Sequence, residues 1–181
     1  MIFLTTENTD KEEFVLKKYL ETVNQRAFQI IWICIISMFF CQILKMIILS
    51  IKEKKINWRY AVTTGGFPSS HSALCMTLMT SLFLFQMHDL GGKIDWSFTV
   101  AVVISLIIIH DAMGVRLEAS KHAKILNNIT DDMPLEQKQR LGFGKRGYLK
   151  EMLGHHFFEV VGGLIIGGLI GVLGYVILVK F

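Results

Sequence analysis

Apolar and charged positions alternate in blocks along this chain rather than in a soluble-protein pattern. Ala27 to Leu44 is an uncharged stretch of 18 residues between Arg26 and Lys45, and Val160 to Val179 is one of 20 between Glu159 and Lys180. Either is long enough to cross a hydrocarbon layer of about 30 Å as a helix. Two shorter runs lie between them: Ser72 to Met87, 16 residues, and Trp96 to Ile109, 14 residues, with histidines or an aspartate at their ends. A 14-residue run in isolation also suits a buried soluble helix. Here a second pair of crossings keeps the charged loops on consistent sides. The pattern therefore predicts an all-α, polytopic membrane bundle with transmembrane helices at about 27–45, 71–88, 96–111 and 157–179, in one domain. The shortness of the middle two predicts that the polar groups at their ends face protein rather than lipid.

Ahead of the first run, Phe14, Val15, Tyr19, Leu20 and Val23 recur at roughly helical spacing, which predicts an amphipathic N-terminal helix on the membrane surface or on the bundle. The polar, acid-rich Met1–Lys18 does not read as a secretory signal. Thr130 to Gly147 is polar and glycine-containing, and is expected to be a loop, following a helical stretch on the same side. In the last run, Gly163, Gly167 and Gly171 recur every fourth residue and give a smooth face for close helix approach. That face is a packing surface, and also a route by which copies of the chain could associate.

Composition sharpens this picture. Hydrophobic residues are 52% and charged residues 19% of the 181, which excludes disorder and disfavours an ordinary soluble enzyme. Cys34, Cys41 and Cys75 lie in apolar runs without paired spacing, so neither a disulfide framework nor a zinc site is expected. The net charge of +4 is a question of sidedness before it suggests nucleic acid. With four crossings, the loops 45–71 and 110–159 share one side and carry 13 of the 19 Lys and Arg. The positive-inside rule makes that side cytoplasmic in the cell membrane.

The suggestive polar residues gather on that same side. Arg59 and the run Thr63 to His71 enter the second helix, His110 and Asp111 leave the third with Arg116 just beyond, and His155, His156 and Glu159 enter the fourth. Gly65-Gly66 permits a sharp turn, Pro68 suits a first helical turn, and Ser69 or Ser70 can cap it. A helix start of this kind offers free N–H groups to an anion, though simple N-capping explains the same residues. His155 and Glu159, four apart, share a helix face. A carboxylate there can fix the imidazole tautomer, as a nucleophilic or proton-transferring His needs; ion pairing and metal binding also use such pairs. His156 points elsewhere. Lys121, His122 and Lys124 suit a solvated or head-group-facing surface.

These motifs resemble the type 2 phosphatidic acid phosphatase superfamily, which also holds the vanadium haloperoxidases, and more closely its small divergent bacterial membrane branch. Pro68-Ser69-Ser70-His71 is similar to the superfamily's second motif, and His155 through Glu159-Val160 to Gly162 to the end of its third. Trp58-Arg59, Thr64 to Ala73, Asp111 to Arg116 and Gly154 to Val160 match the divergent branch. The likeness runs from about Gln42 onward. Two positions depart: Leu149 stands where the third motif usually has Arg, and the first motif is absent as such. Arg116 is expected to supply one guanidinium, and Lys45 with Arg59, or Lys55 with Arg59, the other cations.

The resemblance implies a membrane phosphatase that hydrolyses a lipid phosphate monoester or diphosphate. His155 would attack phosphorus, Glu159 would hold its other ring nitrogen, and His71 would protonate the leaving group. Arg59, Arg116, Lys45 and the Ser69-Ser70 helix start would hold the phosphoryl oxygens, with Asp111 orienting Arg116. The scheme calls for no metal, cofactor or nucleic acid; its partners are a lipid phosphate and the bilayer. The rival reading is a non-catalytic protein that binds or transports lipid phosphates with the same anion pocket.

Overall fold

The computed structural model describes residues 6–54 and 65–178, with side chains from Lys11 onward, and every regular element among them is helical. The elements are α1 (Thr6–Glu53), α2 (Ser70–His88), α3 (Trp96–Met113), α4 (Val115–Ile129), α5 (Leu135–Arg140) and α6 (Phe157–Leu178). Three stretches are long and apolar enough to cross a membrane: Lys11–Glu53, Trp96–Ile129 and Phe157–Leu178. The protein is an all-α membrane bundle.

α2 is the central member and packs against α1, α3 and α6. Its lower apolar content has a structural cause. Ser70, Ser72, Thr77, Ser81 and Gln86 are all buried against the other helices instead of facing outward. Thr77 Oγ1 lies 2.7 Å from Ser37 Oγ on α1 and 2.9 Å from the Gly167 carbonyl of α6, so one hydroxyl ties three helices. The apolar core beside it is Ile30, Cys34, Phe85 and Tyr175, with Leu74, Leu78 and Leu82 packed on it. Large apolar side chains such as Trp32, Phe39, Leu106, Ile107, Ile165 and Leu169 point outward. A bundle surrounded by acyl chains exposes such residues at no hydrophobic cost.

The N-terminal segment is not a separate surface helix. α1 runs without interruption for 48 residues, about 72 Å at 1.5 Å per residue, because no Gly or Pro occurs within it. Its first part extends past the bundle with Phe14, Val15, Leu16, Tyr19 and Leu20 exposed. The expected loop from Thr130 to Gly147 also has more structure than its composition suggests. It contains α5, buries Phe143, and seats the Lys138 ammonium on the Asp131 carbonyl at 3.0 Å and 4.7 Å from the Tyr148 ring centre.

The glycine stripe of α6 is consumed within the chain. A Cβ at Gly163 would strike the Ser69 carbonyl and Ser72, one at Gly167 would strike the Ala73 backbone, and one at Gly171 would come within 2.9 Å of Thr80. Small residues on both sides let α2 and α6 meet backbone to backbone. The packing expectation holds, and association of copies through this face does not, because α2 already occupies it.

Candidate active site

The site forms where α2 starts, where α3 gives way to α4, and just before α6. Ser69 is the N-cap of α2: its hydroxyl accepts from the Ser72 N–H at 3.3 Å and lies 3.0 Å from the Ser72 hydroxyl. Pro68 stands before the cap, not in the first turn, and is buried. The Ser69 N–H donates to the Glu159 carbonyl at 2.9 Å, which fixes the α2 start to the first turn of α6. His71 is thereby the second residue of a helix whose entry is locked. The N–H groups of Ser70 and His71 are the orphan donors such a helix start leaves.

His155 lies ahead of α6 rather than inside it. Its N–H donates to the Ala112 carbonyl at the end of α3, 2.9 Å away, and Gly154 takes φ +74° to deliver it there. A Cβ at Gly154 would collide with the Leu117 and Arg116 backbone at the start of α4. Glycine is therefore required twice over, for its conformation and for the close approach. The α6 start has half of a capping box: Glu159, in the first turn, accepts from the His156 N–H at 3.2 Å. The same carboxylate oxygen lies 3.0 Å from His155 Nδ1. One carboxylate thus caps the helix and orients the imidazole. His155 is 1% exposed, whereas His156 is exposed.

The rings of His71 and His155 meet edge to face with centres 5.8 Å apart and an interplanar angle of 61°. His71 Nδ1 and His155 Nε2 are both buried and have no hydrogen-bond partner among the described residues. Buried polar atoms are almost always paired, so two such nitrogens in adjoining rings single this junction out as the candidate site.

Lys45 of α1 joins them. It is fully buried, within electrostatic reach of Glu159 and His71, and its stem runs past Gly66. Gly65, on the other side of that turn, lies against the Gly154 carbonyl. α1, the glycine turn and the segment before α6 therefore converge. A cavity of about 360 Å³ adjoins this junction, lined by Gly65, Gly66, Phe67, His156 and Glu159, by Ile48, Leu49 and Lys52 of α1, and by Leu117 and Ser120 of α4.

The expected residues divide into three groups. His71, His155, Glu159, Lys45, Ser69 and Ser70 come together, with Ser69 occupied by its capping role. Arg116 lies at the exposed edge, its Nε donating to Asp111, within electrostatic reach of His71. Arg59, together with Trp58, Lys55, Thr63 and Thr64, lies outside the described residues. Two structural contributors were not picked out as such: the Ala112 carbonyl, which carries no side-chain signal, and Gly154, whose signal is a glycine directly before a polar pair.

The Divergent PAP2 family model matches residues 27–170. The chain belongs to that family. Among curated proteins, the uncharacterized membrane protein YuiD of Bacillus subtilis (strain 168) is 34% identical over 148 residues, covering 78% of this chain and 88% of that protein. No solved structure matches. The matched region of this divergent PAP2 protein begins at Ala27 and takes in both histidines and Lys45, but omits the overhanging first part of α1.

Proposed function

We propose that this divergent PAP2 protein is a membrane phosphatase that cleaves a lipid phosphate monoester or diphosphate by way of a phosphohistidine. The observation that carries the reading is the buried His71–His155 pair, with Glu159 on Nδ1 of His155 and Nε2 unpartnered. A carboxylate on Nδ1 favours the tautomer with its proton there, which leaves the Nε2 lone pair for phosphorus.

In the first step the Nε2–P bond forms and the ester P–O bond breaks, while His71 donates a proton to the departing alkoxide or phosphate. The Glu159 carboxylate stabilises the cationic ring of His155. In the second step His71 takes a proton from water, whose oxygen attacks phosphorus, and the N–P bond breaks to release phosphate, returning His155 to its neutral imidazole and His71 to the imidazolium that donated in the first step. Lys45 and the Ser70 and His71 N–H groups supply positive potential to the phosphoryl oxygens, and Arg116 and Arg59 are assigned to the same clamp. A site at the end of the bundle lets an amphiphile offer its head group while its tails stay in lipid. The site loops carry the excess of Lys and Arg and are assigned to the cytoplasm.

A specific observation supports the second reading, a lipid-phosphate binder or transporter without turnover. Ser69 gives its N–H to Glu159 and its hydroxyl to the cap, so the anion cradle has fewer free donors than its sequence promises. The experiment is phosphate release by the purified protein from phosphatidate, phosphatidylglycerol phosphate and polyprenyl diphosphate. Wild type should release phosphate and form an acid-labile phosphoenzyme, both lost in His155→Ala. Binding without release from any of the three supports the second reading, and release that persists in His155→Ala removes the nucleophile.

A further inference from the structure

We infer that α4 is an interfacial helix whose apolar stripe lies in the acyl-chain boundary of an anionic leaflet, beside the candidate site. The inference is independent of the proposed chemistry. At 100° per residue, Val115, Ala119, Leu126 and Ile129 fall within an arc of about 80°, with His122 among them. In a helix packed on a soluble core such a stripe points inward. Here it points out: Val115 and Ile129 are 68% and 67% exposed, and Leu126 is exposed as well.

One flank of α4 meets protein. Asn127 Nδ2 donates to the Leu149 carbonyl at 3.0 Å and to Glu151 at 2.7 Å, and its Oδ1 accepts from the Leu149 N–H at 2.8 Å. Ser120 Oγ donates to the Glu151 carbonyl. The helix is held to protein along one flank, by Ser120 and Asn127, while its apolar face points outward, the arrangement that lipid rewards and water penalises.

Two observations identify bilayer as the occupant. First, α4 follows α3 after the single residue Gly114, and α3 turns Val103, Ile104, Leu106 and Ile107 outward, so the apolar surface of a membrane-crossing helix continues toward α4. Second, Lys121 and Lys124 are both exposed on the polar side of the helix, about 120° and 180° from the centre of the stripe at 100° per residue, with Lys121 also paired to Glu118 at 2.7 Å. An apolar face opposite a cationic polar face is the arrangement of a helix that lies in the plane of a membrane interface and is drawn to anionic lipid.

The test uses the full chain in nanodiscs, carrying an environment-sensitive fluorophore on Leu126→Cys, Ile129→Cys or Asn128→Cys, with the parent protein as blank because its described cysteines are buried. A lipid-borne nitroxide should quench positions 126 and 129, and aqueous iodide should quench 128. Iodide quenching of 126 and 129 equal to that of 128 would place the stripe in water and overturn the inference. Shielding of 126 and 129 from both quenchers would mean that protein covers the stripe, and would overturn it too. Hydrogen exchange of the unmodified protein needs no variant. Amides of 115–129 should exchange more slowly in phosphatidylglycerol nanodiscs than in phosphatidylcholine ones, and equal rates would remove the anionic-leaflet part.

Discussion

The two ends of the bundle both carry charged and aromatic groups, yet they treat them differently. At the end formed by α1 near Arg26, the α2–α3 turn and the last turns of α6, charged and polar side chains pair with one another across helices, with Arg26 Nε meeting Asp89 as an ion pair without hydrogen-bond geometry. Arg26 pairs with Asp89 at 2.9 Å, the Tyr175 hydroxyl lies 3.4 Å from Asp89, and Gln86 bridges to Asp95 at 2.6 Å and to Ser97 at 3.0 Å. At the end formed by His71, His155 and Glu159, the pairing stops short, and two ring nitrogens are buried without partners among the described residues. Polar groups that close on themselves knit helices together. Polar groups held in place but left incomplete are the arrangement on which the proposed chemistry rests.

The largest expected contrast is in turnover. His155→Ala should abolish phosphate release, a loss of about 10³-fold or more, and His71→Ala should reduce it by about 10²–10⁴-fold, with helical content and thermal unfolding little changed. If both variants also unfold at lower temperature, the site end is structural like its counterpart.

Next comes the backbone that delivers His155. Gly154→Ala should destabilise by at least about 1–3 kcal/mol through the forced positive φ alone, more with the collision against Leu117, and should abolish turnover. Gly92→Ala, at φ +81° with nothing within 4 Å of a new Cβ, should cost only about 1–2 kcal/mol. Thermal unfolding in detergent compares the pair, and equal losses would refute the role given to the Gly154 contact.

At the closed end, Asp89→Ala leaves the half-buried Arg26 with its Gln29 hydrogen bond but without its carboxylate partner and should lower stability by about 1–3 kcal/mol with phosphate release intact. A loss of release at constant stability would join the two ends functionally.

The smallest effect is acid sensitivity. Hydrogen bonds from the Ser97 hydroxyl, then from the Ser97 and Phe98 N–H groups and Gln86, hold Asp95 below the ordinary carboxylate range. Its contribution is complete above the pKa of the unfolded chain and falls away as pH drops through the lower folded value. Asp95→Asn should therefore flatten the acid side of the stability profile slightly, and an unchanged profile would show that this largely exposed cap adds little.

The fold was readable because hydropathy runs and their charged ends report membrane crossing directly. The continuity of α1 was missed: an amphipathic stretch and an apolar one look like two helices until the lack of any breaker between them is given weight. At the site, the residue types and their one-sided clustering were readable, since His71, His155, Glu159 and Lys45 all have charge or hydrogen-bonding chemistry. The main-chain bonds that place them were not, because Ala112 and the Ser69 amide act through atoms every residue has. Ser69 shows the opposite error, where a hydroxyl that suits an anion serves its own helix.

The glycine seam between α2 and α6 governs more than packing. His71 sits at one end of α2 and His155 just ahead of α6, so the gap between their rings is gauged by backbone touching backbone along Gly163, Gly167 and Gly171. A bulky residue there, at a depth with no reactive group, would pry the imidazoles apart like a wedge driven into a pair of tongs. Loss-of-function substitutions in this protein should therefore appear well inside the greasy middle of the chain as well as at its polar end.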